Sequence, residues 1–133
     1  MLDALALVGL DESIAMLPDG LQTVLSSNGH PLSLPKTMQL RLAAALLAQP
    51  RILVLSPLFD TVSRHRLQAV FDRLAGSRTT LLYFTNRPED LVLDAYLWLG
   101  RETQAIVNDR VEFDRLRSAA GRETALLEAR RGA

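Results

Sequence analysis

At 133 residues the chain has room for one core, which would bury about two thirds of the surface its unfolded form exposes. Hydrophobic residues at 48% and charged residues at 23% exclude a disordered or fibrous chain. Fifteen basic and fifteen acidic side chains cancel, so no long-range field draws in nucleic acid, and the lack of cysteine excludes disulfides, thiolate metal sites and cysteine nucleophiles and fits a reducing cytosol.

Residues 2–17 place Leu2, Leu5, Leu7, Leu10, Ile14 and Leu17 at near-helical spacing interrupted by Gly9, which predicts two short helices with Asp11 capping the second. This stretch carries Asp3 within its apolar run and lacks a basic signal-peptide start, so it reads as mature structure. Pro18, Asp19 and Gly20 break the chain, and residues 21–35, rich in Ser, Asn, Gly and Pro, predict a loop. Residues 36–49 set Met38, Leu42, Ala45, Leu46 and Ala48 among strong helix formers and predict a helix that Pro50 stops. Its most apolar part, around Leu40 to Leu47, carries Arg41 and falls well short of the ~20 residues a membrane span needs.

Residues 52–55 form a continuous apolar run of strand length, the pattern of a strand covered on both faces. Leu67, Val70, Phe71 and Leu74 mark a helix ended near Gly76, and residues 79–84 read as a second buried strand. A helix between two such strands implies a right-handed crossover and a parallel pair, hence an α/β fold class. Residues 95–99 and 104–107 read as two further strands, for which a hairpin is one arrangement. Residues 111–131 are helical in composition, with Phe113, Leu116, Leu126 and Leu127 as candidate core contacts and a break at Gly121.

The order loop, helix, proline, apolar strand, helix, apolar strand resembles the C-terminal half of ABC-transporter ATPase domains. LPDGLQTVLSSNGHPLSLPK looks like the exporter-type segment that leads into the LSGGQ signature, which aligns without a gap on Leu32, Ser33, Leu34, Pro35 and Lys36. AALLAQPRILVL follows at the family's spacing and ends where the Walker B strand ends. RTTLLYFTNR resembles the strand and switch turn that usually carries a histidine, here Asn86, and the stretch from DAYLWLG to NDRVEFDRL looks like the family's closing strands and following helix. The resemblance implies the C-terminal half of a P-loop NTPase (ABC ATPase) domain, with a mostly parallel sheet and flanking helices. Residues 1–50 would end the helical subdomain, with the altered signature and the helix after it. Residues 51–133 would form the C-terminal part of the RecA-like core with its tail helices, all in one structural unit.

In that family a glycine-rich loop with a lysine wraps the phosphates. No GxxxxGK[ST] pattern occurs in this chain, which implies that the first half of the domain lies outside these residues. The Walker B strand should end in an Asp that holds magnesium through water, followed by a Glu that polarises the attacking water. Ser56 and Pro57 stand there, so metal anchor and base are both lost. The signature works in trans on a partner's nucleotide at the start of the following helix. Ser33 survives, Leu34 and Pro35 replace the two glycines, and Lys36 restores some positive charge, which leaves Ser33 and Lys36 as weak nucleotide-contact candidates.

For the D-loop aspartate, an ungapped count from Ser56 lands on Ser63, whereas the spacing of Leu67, Phe71 and Leu74 favours Asp60 after a three-residue deletion. Asp60 is preferred, although Asp60, Thr61 or Ser63 would equally cap the helix that follows. Asn86 hydrogen-bonds but cannot carry an imidazolium charge. No catalytic residue is assigned: Ser56, Pro57 and Asn86 are degenerate positions. His30 and His65 have no second ligand at metal spacing, and Ser26, Ser27 and Ser33 lack a GxSxG context, so neither a metal site nor a serine hydrolase is expected. Asp72, Arg73, Glu128 and Arg130 read as solvated helix charges and Trp98 as core.

The expectation is a non-hydrolysing nucleotide-binding-domain portion of an ABC-type transporter with a structural or regulatory role, at the cytoplasmic face of the membrane. Its partners would be a transmembrane domain or subunit and a second nucleotide-binding domain, and ATP with magnesium would bind only with missing or partner segments. Two other readings stand beside it. One is a docking or self-associating module without nucleotide, favoured by an open sheet edge. The other is part of an active transport ATPase whose phosphate loop lies upstream.

Overall fold

The computed structural model describes residues 1–87, 91–100 and 103–131, with residues 122–131 as backbone only. The elements run α1 (Leu2–Val8), α2 (Asp11–Ala15), a 3-10 turn (Gly20–Gln22), α3 (Leu34–Ala48), β1 (Ile52–Leu55), a 3-10 turn (Pro57–Thr61), α4 (Arg64–Ala75), β2 (Thr80–Tyr83), β3 (Tyr96–Leu99), β4 (Gln104–Val107) and α5 (Arg110–Arg131). The chain divides into two compact units, Met1–Leu91 and Val92–Ala133, so residues 1–50 share a unit with the first part of 51–133.

In the first unit, Gly9 ends α1 at φ +75°, a left-handed conformation that glycine adopts without steric cost. The last carbonyls of a helix lack intrahelical donors. Here Arg66 Nη1 of α4 donates to the Ala6 carbonyl at 3.2 Å, and Gln39 Nε2 of α3 donates to the Val8 carbonyl at 2.7 Å. The end of α1 is thereby tied to both longer helices, above a core that includes Val8, Leu10, Leu42 and Val70. The expected cap on α2 is corrected: Leu10 holds the N-cap position, and Asp11 is the first helical residue, where its charge meets the positive helix end.

Helix α3 starts earlier than residue 36, with Ser33 at the N-cap and Leu34 and Pro35 in its first turn. Proline is tolerated there because the first-turn N–H groups have no intrahelical acceptor. Gln49, at φ 47°, and Pro50 end it. Helix α4 carries the predicted stripe, and Leu67, Val70, Phe71 and Leu74 are all buried. Its Phe71 ring meets Tyr83 edge-on, with centroids 5.5 Å apart, so α4 covers one face of the sheet.

β1 and β2 pair in parallel, from Ile52↔Thr80 to Leu55↔Tyr83. Two expectations need correction here. The described residues hold a mixed α/β fold with two small sheets: β1–β2 is the parallel part, and β3–β4 is a separate antiparallel pair, in place of one mostly parallel sheet. Neither β1 nor β2 is covered on both faces: Ile52 is 63% and Val54 57% exposed, with Leu82 and Phe84 about half exposed beside them. The unbroken apolar run encodes two covered faces, and the described residues supply cover for one.

In the second unit, β3 and β4 form a hairpin-type pair from Tyr96↔Val107 to Leu99↔Gln104. Tyr96, Val107 and Phe113 form its core, with Trp98 and Leu116 partly buried against it. The Tyr96 and Phe113 rings lie 5.2 Å apart, and Trp98 meets Phe113 edge-on at 6.1 Å. The expected break at Gly121 is overturned, because α5 runs through it to Arg131. A helical glycine costs roughly 1 kcal/mol against alanine, which weakens a helix without ending it. The side chains of Leu126, Leu127, Glu128 and Arg130 lie outside the described residues. No described helix is long and apolar enough to cross a membrane.

Candidate functional site

Ligands of open α/β sheets bind beyond the carboxyl ends of parallel strands. The Phe84 N–H donates to the Leu55 carbonyl at 2.9 Å, which carries the β1–β2 ladder to its last rung and sets the two following turns side by side. Ser56 and Pro57 open the first turn. The Ser56 carbonyl accepts from the Phe59 N–H at 3.1 Å, its hydroxyl makes no capping bond, and both residues are exposed. A neutral hydroxyl and a proline ring therefore stand where β1 ends.

Of the residues singled out in the sequence, Asp60 and Asn86 are brought together. Asp60 Oδ1 accepts from the Tyr83 phenol and from Thr85 Oγ1, the latter at 2.7 Å. Its Oδ2 accepts from the Asn86 main-chain N–H at 3.0 Å, and Arg87 Nη1 approaches the Asp60 carbonyl at 3.4 Å. Thr85 Oγ1 in turn accepts from the Arg87 N–H at 2.9 Å. Asn86 thus contributes its backbone, where the sequence directed attention to its side chain.

Partial burial pushes the Asp60 carboxyl up, but donation from Tyr83, Thr85 and the Asn86 N–H, with the charge of Arg87, outweighs it and holds the group below its ordinary value. Burial and the bond to Asp60 push the Tyr83 phenol well above its ordinary range. The pair is therefore an anionic acceptor and a neutral donor at neutral pH. The cavity lined by Asp60, Val62, Arg64, Tyr83 and Arg87 measures about 10 Å³, room for one water at most. Asp60 is filled by protein donors and acts as a tether between turns.

The other candidates lie on helix starts. Ser33 and Lys36 are both exposed, at the N-cap and in the first turn of α3. The Ser33 carbonyl accepts from Thr37 N–H at 2.8 Å and Thr37 Oγ1 at 3.0 Å, and its hydroxyl makes no capping bond. Pro35 removes one first-turn donor, leaving the N–H groups of Leu34 and Lys36 beside a half-exposed leucine side chain. The loop before α3 is pinned by Gly29, at φ +92°, where a Cβ would fall 2.3 Å from Thr37 Oγ1.

Ser63, the alternative D-loop position, occupies the N-cap of α4, and its hydroxyl lies 3.3 Å from His65 Nδ1. Thr61 Oγ1 instead donates to the Leu58 carbonyl at 2.8 Å, and Asp60 faces β2, so neither caps α4. Sequence reasoning missed Tyr83 and Thr85. Their signal was two hydroxyls at i and i+2, Tyr83 closing β2 and Thr85 in the turn after it, a spacing that puts both on one side of an extended chain.

No family model matches the chain. It is 35% identical over 82 residues to the ATP-dependent lipid A-core flippase of Burkholderia orbicola (strain AU 1054), a match that covers 59% of this chain and 14% of that protein. With the ATP-dependent lipid A-core flippase of Chromobacterium violaceum it shares 39% identity over 74 residues, 53% of this chain and 13% of that protein. The ABC-type transporter atr1 of Mycosarcoma maydis is 32% identical over 81 residues, 59% of this chain and 6% of that protein. The chain thus spans only a small part of the length of the curated relatives it matches. These similarities, over about half of the chain, support a relationship to ABC transporters.

Proposed function

We propose that this chain is the C-terminal portion of an ABC-type nucleotide-binding domain that does not hydrolyse ATP and serves a structural or regulatory part in a transporter. One observation carries the reading: at the carboxyl end of β1, the place for a metal-holding Asp and a water-polarising Glu, stand the exposed Ser56 and Pro57. Asp60, on the same turn, has both carboxylate oxygens committed to Tyr83, Thr85 and Asn86. Ser33, Lys36 and the two first-turn N–H groups of α3 are what a partner's triphosphate would meet. Its partners on this reading are a transmembrane domain or subunit and a second nucleotide-binding domain, at the cytoplasmic face of the membrane.

Measuring nucleotide affinity and steady-state phosphate release with and without magnesium tests the proposal. Weak or no affinity with no turnover is expected, and saturable magnesium-dependent turnover would overturn it. A second reading, a docking or self-associating module without nucleotide, has its own support in the uncovered apolar face of Ile52, Val54, Leu82 and Phe84. Triphosphate-dependent binding by the chain would count against that module. The reading as part of an active transport ATPase would need both a phosphate loop and the missing carboxylates from other segments.

A further inference from the structure

The resemblance places metal and base on the turn after β1 and a switch on the turn after β2. In this chain the two turns are joined into one hydrogen-bonded body. Asp60 takes donors from positions 83, 85 and 86, which run from the last residue of β2 into the turn. Asp60 itself sits on a closed turn: Phe59 N–H donates to Ser56 O at 3.1 Å, Val62 N–H to Phe59 O at 3.0 Å and Thr61 Oγ1 to Leu58 O at 2.8 Å. Tyr83 is fixed from the other side by the Phe71 ring of α4.

We infer that Asp60, Tyr83 and Thr85 form a clasp that holds the turn at Asn86 fixed against the turn after β1, so that the surface made by the two turns keeps one shape with or without nucleotide. Opening it would take three donors from a partly buried carboxylate in one step and leave the charge to be resolvated, at a cost that the partial exposure of Asp60 reduces. Tyr83 and Thr85 are positioning residues on this account, acting on Asn86 through Asp60, and Thr85 also holds the Arg87 N–H directly. The bearing of the clasp on transport rests on the proposed function; the clasp itself does not.

Amide hydrogen exchange at Asn86 and Arg87 in the 133-residue chain tests this, comparing the parent with Asp60→Ala and Tyr83→Phe. Exchange at Asn86 should accelerate about tenfold or more in Asp60→Ala, the equivalent of one hydrogen bond to a charged acceptor, and by a smaller factor in Tyr83→Phe. It should stay unchanged in the parent when magnesium with ADP or ATP is added at millimolar concentration. Equal exchange in parent and Asp60→Ala would overturn the clasp, as would a severalfold change on adding nucleotide. If Asp60→Ala fails to fold, Tyr83→Phe decides alone, since it keeps the ring against Phe71, and equal exchange there overturns the inference. Turnover of ATP by the parent would contradict the non-hydrolysing reading and leave the clasp standing.

Discussion

Replacing Asp60 by asparagine keeps the shape of the side chain, removes its charge and breaks one of its three bonds. An amide oxygen on the Oδ1 side still accepts from Tyr83 and Thr85, but the amide nitrogen then faces the Asn86 N–H, donor against donor. Bonds to a charged acceptor contribute about 1.5–3 kcal/mol each and neutral ones about 0.5–1.5. Because Asp60 is only partly buried, solvent screening reduces the difference, and the net loss is about 1–2 kcal/mol. For a unit of this size that lowers the Tm by about 5–10 °C.

The pH dependence has a definite sign. The folded-state Asp60 pKa lies below its unfolded value, so its contribution is fully present above about pH 4 and is lost as pH falls through the lower, folded-state value. Thermal or urea unfolding followed by far-UV circular dichroism checks this. The parent should exceed Asp60→Asn in stability at neutral pH, and the gap should close in acid. A gap that is absent at neutral pH, or that persists undiminished well below about pH 4, refutes the reasoning.

Phe71→Ala should lower stability by about 3–5 kcal/mol, measured by urea unfolding, because it empties the α4 stripe and removes the edge contact to Tyr83. Gly29→Ala should cost more than about 1 kcal/mol, because an alanine would be strained at φ +92° and its Cβ would collide with Thr37. Adding Thr37→Ala should recover only part of that loss in the same assay, since it relieves the collision and leaves the backbone conformation.

Much of the fold was legible because short-range rules governed it. The i, i+3, i+4 spacing of Leu67, Val70, Phe71 and Leu74 located α4, and the two apolar runs flanking it implied the parallel pair. Strand burial was misread because an apolar run reports what a strand needs covered, and the exposed Ile52 and Val54 show that need unmet by the described residues. The clasp was half legible. Asp60 and Asn86 were singled out as separate positions, but their link depends on a backbone N–H that every residue type except proline carries and on a parallel register that brings residues 26 apart in sequence into contact. Similarly, Asp11 offered a capping side chain, yet the Leu10 N–H bond to Leu5 that closes α1 started α2 one residue earlier than a cap at Asp11 requires.

The central claim is that the substitutions at Ser56 and Pro57 leave an ABC-type segment without hydrolytic chemistry. Steady-state phosphate release from magnesium ATP, followed in parallel for the parent chain and Ser33→Ala, tests it most directly. The account predicts no release above the protein-free background in either. Saturable release by the parent that falls in Ser33→Ala would contradict it.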